Sequence, residues 1–197
     1  MSLYKVCLIG KYGVGKTTIF NRIRGKPNKK NAEIEFYDHD VTVVVGDDEV
    51  EKQQVTLQIW DTAGMEQYES MTESYYKDVH AIVAVFSLDS EKSFKKIKPT
   101  VSKIINDDFS PKAIFVLVGN KKDLDTPTVS DSKVNDFLKS NPGFFKEYLK
   151  ISAHSDEDVS EVFNRVAYGI VREKIKPVER TSGGGFQERI HKKASCC

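Results

Sequence analysis

The sequence predicts an α/β fold, a mostly parallel sheet with helices on both faces. Three observations carry this. The runs "HAIVAVFSL" and "AIFVLVGN" are apolar without alternation, as expected of strands covered on both sides. Segments with helical spacing of apolar residues alternate with such runs. A glycine-rich turn, "GKYGVGKTT" (Gly10–Thr18), joins the first strand to the first helix.

In chain order, "YKVCLIG" (Tyr4–Gly10) predicts a buried strand, and "GKTTIFNRIRG" a helix ended by Gly25. "RGKPNKKNAE" is a polar, basic loop. "VTVVVG" and "VTLQIWD" are β-rich runs on either side of "DDEVEKQQ", which predicts an antiparallel hairpin. "HAIVAVFSL" follows as a strand. "EKSFKKIKPTVSKII" places Phe94, Ile97, Val101, Ile104 and Ile105 at helical spacing, with Pro99 expected to kink or split the helix. "AIFVLVGN" is the next strand, "VNDFLKS" a short helix stopped by "NPG", and "EYLKIS" the last strand. In "DEDVSEVFNRVAYGIVREKI", Val159, Val162, Phe163, Val166, Ala167, Ile170 and Val171 form one apolar stripe. Beyond "KIKP" the pattern stops in a Gly/Ser-rich, polar stretch that reads as a disordered tail. The expected organisation is one globular domain over residues 1–176 and a tail over 177–197.

The composition fits this plan. A chain of 197 residues with 39% hydrophobic content suits one domain with a sizeable core. Thirty basic against 29 acidic residues leave a net charge of +1, which gives no reason to expect nucleic-acid binding. No apolar run reaches bilayer length, and "MSLYKVCLIG" lacks the make-up of a signal peptide. Cys7, Cys196 and Cys197 form no disulfide framework, so a reducing compartment is expected.

Gly10 to Thr17 fits G-x-x-x-x-G-K-S/T between a strand and a helix. Gly13 and Gly15 let the backbone turn its N–H groups toward phosphate oxygens. The helix start offers its positive end to the same anion. Lys16 adds a full charge, and the Thr17 hydroxyl is suited to Mg²⁺. "VGNKKDL" ends a strand, which puts Asn120–Asp123 at the ligand edge. A carboxylate there can accept from both N1–H and N2–H₂ of guanine, a donor pair that adenine lacks, so Asp123 would select guanine. "WDTAG" (Trp60–Gly64) and "ISA" (Ile151–Ala153) end two further strands.

Together and in this order, these motifs resemble the Ras superfamily of small GTPases from Tyr4 to about Ile175. "LQIWDTAG", "ESYYKDVHAIV", "SLDSEKSF" and the terminal "CC" are most similar to the Rab branch. The resemblance implies a six-stranded sheet, five strands parallel and one antiparallel, with five helices. It implies GTP/GDP as ligand and Mg²⁺ as cofactor, with Gly13, Val14, Gly15, Lys16, Thr17 and Thr18 on the phosphates. Asn120, Lys121, Asp123, Ser152, Ala153 and His154 would surround the base. Thr17 and Asp61 would hold the metal, Lys16 and Gly64 would meet the γ-phosphate, and Asp61–Gly64 would open the second switch.

Several positions depart from the family pattern. Met65 stands where a glutamine usually orients the attacking water, and a thioether cannot do so. Between Lys26 and Val41 there is no threonine to reach Mg²⁺, and Glu33 takes its place as a further candidate metal ligand. The base-stacking aromatic of that loop is missing, and the effector-binding signature is unrecognisable in "EIEFYDHD". Tyr12 replaces a small residue in the phosphate loop, and His154 a lysine.

Cys196 and Cys197 resemble the double-cysteine ending on which Rabs receive two geranylgeranyl chains; one chain anchors reversibly, two stably. The expectation is a monomeric, Rab-like GTPase regulating vesicle traffic, with slow intrinsic hydrolysis. It would sit on the cytoplasmic face of intracellular membranes with a cytosolic pool, served by effectors, an exchange factor and the prenylation machinery. The alternative is a non-hydrolysing GTP-binding scaffold. A P-loop kinase or ATPase does not account for "NKKD".

Overall fold

The computed structural model describes residues 2–26, 35–45, 51–62, 76–106 and 112–178. Six strands form one sheet: β1 (Ser2–Ile9), β2 (Glu35–Val45), β3 (Glu51–Asp61), β4 (Ala81–Ser87), β5 (Ile114–Asn120) and β6 (Glu147–Lys150). Their spatial order is β2-β3-β1-β4-β5-β6. Among the described residues only β2 and β3 pair antiparallel; every other neighbouring pair is parallel. The helices are α1 (Lys16–Ile23), α2 (Glu91–Lys95), α3 (Ile97–Asn106), α4 (Asp131–Lys139) and α5 (Asp156–Arg172).

The expected break at Pro99 is present. Pro99 has no N–H for the Lys95 carbonyl and its ring crowds that carbonyl. The helix therefore stops at Lys95 and resumes at Ile97, with the Thr100 amide donating to the Lys96 carbonyl at 3.3 Å. Counting α2 and α3 as one interrupted helix, the described residues hold four helices, where the resemblance implies five.

Successive residues of β1 point to opposite faces. Val6 and Leu8 join a core with Ile19 and Phe20 of α1 and Phe163, Val166 and Ile170 of α5. Cys7 and Ile9 join a second core with Phe94, Ile97, Val101 and Ile104 of α2–α3 and Val134 of α4. All seven residues of β4 and all seven of β5 are buried, which is why both read as unbroken apolar runs.

β2 is longer than its apolar run. It begins at Glu35, not Val41, and pairs with β3 along its whole length from Glu35↔Asp61 to Val45↔Glu51. The reason is a period of two hidden under polar residues. Tyr37, Val41 and Val43 face the α1–α5 core, and His39 meets the Phe163 ring at 6.2 Å. On the other face Phe36 stacks on Trp60 at 5.0 Å, while Asp38 and Asp40 accept hydrogen bonds from Gln58 and Thr56. At the far end of the sheet the Val178 amide donates to the Leu3 carbonyl at 2.9 Å.

Phe163 is fully buried between β2 and the sheet centre. Phe163→Ala is expected to destabilise the domain by about 3–5 kcal/mol, read as a lower midpoint in denaturant unfolding.

Candidate functional site

The carboxyl ends of β1, β3, β4 and β5 lie along one edge, as the pairings Leu8↔Asp61, Ile9↔Ala84 and Ser87↔Asn120 require. After β1 the chain builds β2 and β3 on one side and returns on the other, so the loop after β1 sits where strand order reverses.

That loop is Gly10–Gly15. Gly10 has φ 142°, and a Cβ there would lie 2.1 Å from the Val85 carbonyl oxygen. Gly15 has φ 104°, and a Cβ there would lie 2.2 Å from the Asn120 amide nitrogen. Side chains are thus excluded at both ends of the arch, by its neighbours and by its backbone conformation. Lys16 is buried and folds back over the loop, donating to the carbonyls of Gly10 at 2.8 Å and Lys11 at 3.4 Å. Gly13 has φ 82°, Val14 is buried, and Thr17 and Thr18 are half-buried in the first turn of α1.

The start of α1 differs from those of α2, α4 and α5. Those three carry serine N-caps, Ser90, Ser130 and Ser155, each accepting from an amide in the first turn. The N-cap of α1 is Gly15, with no side-chain cap and no acidic residue in the first turn. Its positive end is left facing the arch, ready for an anion.

Asp61 is buried at the end of β3, and the adjacent Thr62 hydroxyl donates to the Leu8 carbonyl at 2.7 Å, tying that strand end to the base of the loop. A threonine hydroxyl and a carboxylate at one sheet edge are hard oxygen donors of the kind Mg²⁺ takes, so Thr17 and Asp61 fit that ion. Glu33, Gly64, Met65, Cys196 and Cys197 lie outside the described residues.

On the base side, Asn120 is buried and uses both ends of its amide. Its nitrogen donates to the Val14 carbonyl at 2.8 Å, and its oxygen accepts from the Ala153 amide at 2.9 Å. One side chain thereby joins the phosphate loop to the loop after β6. Lys121 adopts φ 67°, and its ammonium meets Asp89 at 3.3 Å. The Asp123 carboxyl is exposed; the Ser152 hydroxyl beside it, helped by His154 and Lys121, holds it below the usual carboxylate range. Ser152 is fixed in turn: its amide donates to Asp158 at 2.7 Å, and its hydroxyl accepts from the His154 amide at 3.2 Å. Asp158 also pairs with Lys122 at 2.7 Å.

Asp89, Thr62 and Asp158 thus support the site although the sequence reading did not single them out. Only Asp158 had a local signal: Ser155 and Asp158 have the spacing of a capping box. The Asp158 carboxylate reaches past the cap to Ser152.

A β-sheet edge that joins a phosphate arch to a guanine-type loop through one asparagine defines a small GTPase of the Ras superfamily. The Ras family model matches residues 5–172, and the chain belongs to that family. Within it, the chain falls in the Rab branch. It is 34% identical over 174 residues to the Ras-related protein Rab-30 of Homo sapiens, covering 87% of this chain and 81% of that protein. It is 33% identical over 168 residues to Ras-related protein Rab-34 of Rattus norvegicus, covering 83% and 62% of the two chains. With the Ras-related protein SEC4 of Saccharomyces cerevisiae it shares 31% identity over 188 residues, covering 95% and 83%.

Asn120→Ala removes both bridging hydrogen bonds. Bound GDP should then leave on the order of ten- to a hundredfold faster, measured by stopped-flow release of a fluorescent analogue. A circular dichroism spectrum like that of the parent shows that the fold persists.

Proposed function

We propose that the chain is a guanine-nucleotide switch of vesicle traffic, tethered to membranes by its tail, that hydrolyses GTP slowly. The observation that carries the nucleotide is Asp123, an ionised carboxylate at the sheet edge oriented by Ser152. Because its pKa is depressed, the charge needed to accept two guanine N–H groups survives mild acid and is lost only as pH falls through that lowered value. Lys121, braced by Asp89, would lie along the base. The Ala153 amide region, fixed by Asn120, would meet the guanine oxygen.

On the phosphate side, the amides of Gly13, Val14 and Gly15 and the start of α1 bind and orient the chain of phosphates. Lys16 would exchange its loop carbonyls for phosphate oxygens and place its charge on the β- and γ-groups. Mg²⁺, held by Thr17 and Asp61 with Glu33 as a further candidate, supplies charge neutralisation on those oxygens when bound. Gly64 would sense the γ-phosphate. Met65 neither donates nor accepts well, so the attacking water lacks its orienting group.

Residues 1–176 would form the nucleotide-binding domain, acting as a monomer, and residues 177–197 the tail. Two prenyl chains on Cys196 and Cys197 would give stable anchoring to the cytoplasmic face of an intracellular membrane. Among the described residues no helix is long and apolar enough to cross a bilayer.

A GTP-binding scaffold is the second reading. It is favoured by Tyr12, whose side chain stands 70% exposed on the phosphate loop. A ring beside the γ-phosphate can crowd the water or an approaching activating protein.

Asp123→Ala should abolish GDP and GTP binding while the fold persists, read by the nucleotide retained on the purified protein. Tight ATP binding by the parent protein would overturn the guanine assignment.

Met65→Gln should raise single-turnover GTP hydrolysis about tenfold or more if the orienting amide is all that is missing. Tyr12 and Met65 are expected to act on the same water, so Tyr12→Gly with Met65→Gln should exceed the sum of the two single effects in free energy. A full gain from Met65→Gln alone, with Tyr12→Gly silent, would make Tyr12 a bystander. No phosphate release from any of these variants, with GTP bound, would favour the scaffold.

A further inference from the structure

The chain as a whole carries a net charge of only +1, yet Glu91–Lys103 holds five lysines and one acid. All five, Lys92, Lys95, Lys96, Lys98 and Lys103, are exposed, while Phe94, Ile97, Val101 and Ile104 take the buried side of α2 and α3. The single acid is already engaged: Glu91 pairs with Lys133 of α4 and with Lys95 at 3.4 Å. Some basic side chains elsewhere find carboxylates, as in Lys121–Asp89, Lys122–Asp158, Lys146–Glu173 and Lys150–Asp131. Among the described residues, Lys92, Lys96, Lys98 and Lys103 form no ion pair.

Lys92 repels Lys95 and Lys96 from three and four positions away, and like charges at that spacing are unfavourable. Glu91, Lys92, Lys95, Lys96 and Pro99 line a shallow, open depression on this face. Lower on the same helix Ile105 is 41% exposed. The face therefore combines uncompensated ammonium groups on long flexible stems with exposed apolar surface. Lysine offers point charges rather than the planar fork of arginine, which suits a diffuse anionic surface better than one carboxylate geometry.

We propose that the outer face of α2 and α3, centred on Lys92, Lys96 and Lys98, docks on an anionic lipid surface. This rests on the tail tethering proposed above, because a tethered domain meets the lipid at high effective concentration and needs only weak contacts. The tail from residue 179 has 19 residues, reaching up to about 65 Å at ~3.5 Å each, enough to let either side of the domain settle on the membrane. Each lysine near an anionic surface strengthens binding about fivefold, and the effect is lost at high salt.

The test couples the unprenylated full chain through Cys196 and Cys197 to maleimide lipids in vesicles. Cys7 does not compete, because it is buried and burial pushes its thiol up to about 12. Lysines are then labelled with an amine reagent on phosphatidylcholine vesicles with and without phosphatidylserine. The expected result is protection of Lys92, Lys96, Lys98 and Lys103 on the anionic vesicles only, reversed by salt, with Lys146 labelled equally on both. In the triple variant Lys92→Gln, Lys96→Gln, Lys98→Gln, the protection of Lys103 should disappear. Equal labelling on both vesicles, or protection of Lys103 that survives the triple variant, overturns the proposal. Protection by a polyglutamate peptide with none by vesicles also overturns it, and assigns the face to an acidic protein segment. Chemical coupling replaces prenylation here, so failure of the tethering reading shows separately: Cys196→Ser with Cys197→Ser would leave the protein in the membrane fraction of cells.

Discussion

The site depends on one carboxamide. Asn120 ends β5 and spans from the Val14 carbonyl to the Ala153 amide, two groups far apart in sequence. Its nitrogen occupies the space that a side chain at Gly15 would need, so the glycine and the asparagine are a matched pair. A buried amide with both ends paired is fixed in orientation, since rotation would leave a donor and an acceptor unsatisfied at once. The phosphate side and the base side of the edge are therefore joined through one side chain. Asp123 and Ser152 inherit their position from it.

Around that link, stability is placed where the nucleotide is not. The starts of α2, α4 and α5 each carry a serine cap, and α5 adds Asp156, Glu157 and Asp158 in its first turn. The start of α1 has neither cap nor acid. An N-cap is commonly worth about 1 kcal/mol, so α1 forgoes stabilisation that three other helices have. What compensates is burial: Ile19 and Phe20 are fully enclosed, with α1 packed against β3 and α5. The helix is held by its sides, which leaves its end open to a ligand.

The sequence made some parts of this legible and hid others for physical reasons. β4 and β5 are enclosed by helices on both faces, so their burial is written in their own residues. The arch from Gly10 to Lys16 is equally local, since its glycines, lysine and hydroxyls are contiguous. The first half of β2 was hidden, because Asp38 and Asp40 look like loop residues until Gln58 and Thr56 are placed opposite them. Asp89 and Thr62 were hidden likewise. Their partners, Lys121 and the Leu8 carbonyl, are set by strand register, which no local pattern reveals.

The two ends of β1 separate two tasks. Its carboxyl end delivers the phosphate loop; its first residues hold the segment after α5, where Leu3 accepts from Val178. Eight residues of strand put these ends about 23 Å apart. His80 reinforces the hold on that segment. Its Nδ1 accepts from the Lys5 amide at 2.9 Å, so the proton lies on Nε2, and a hydrogen bond with the Lys176 backbone continues the link. Burial lowers the pKa of this imidazole, which keeps it neutral and preserves the acceptor that Lys5 requires. Lys5 is itself buried, with its ammonium on the Lys77 carbonyl at 3.1 Å and over the Trp60 ring at 5.2 Å. The segment after α5 is therefore fixed to the same strand that carries the phosphate arch, at the opposite end and through contacts that share no residue with it. Changes in the loops around a nucleotide can then leave Lys176 and Val178 where they are.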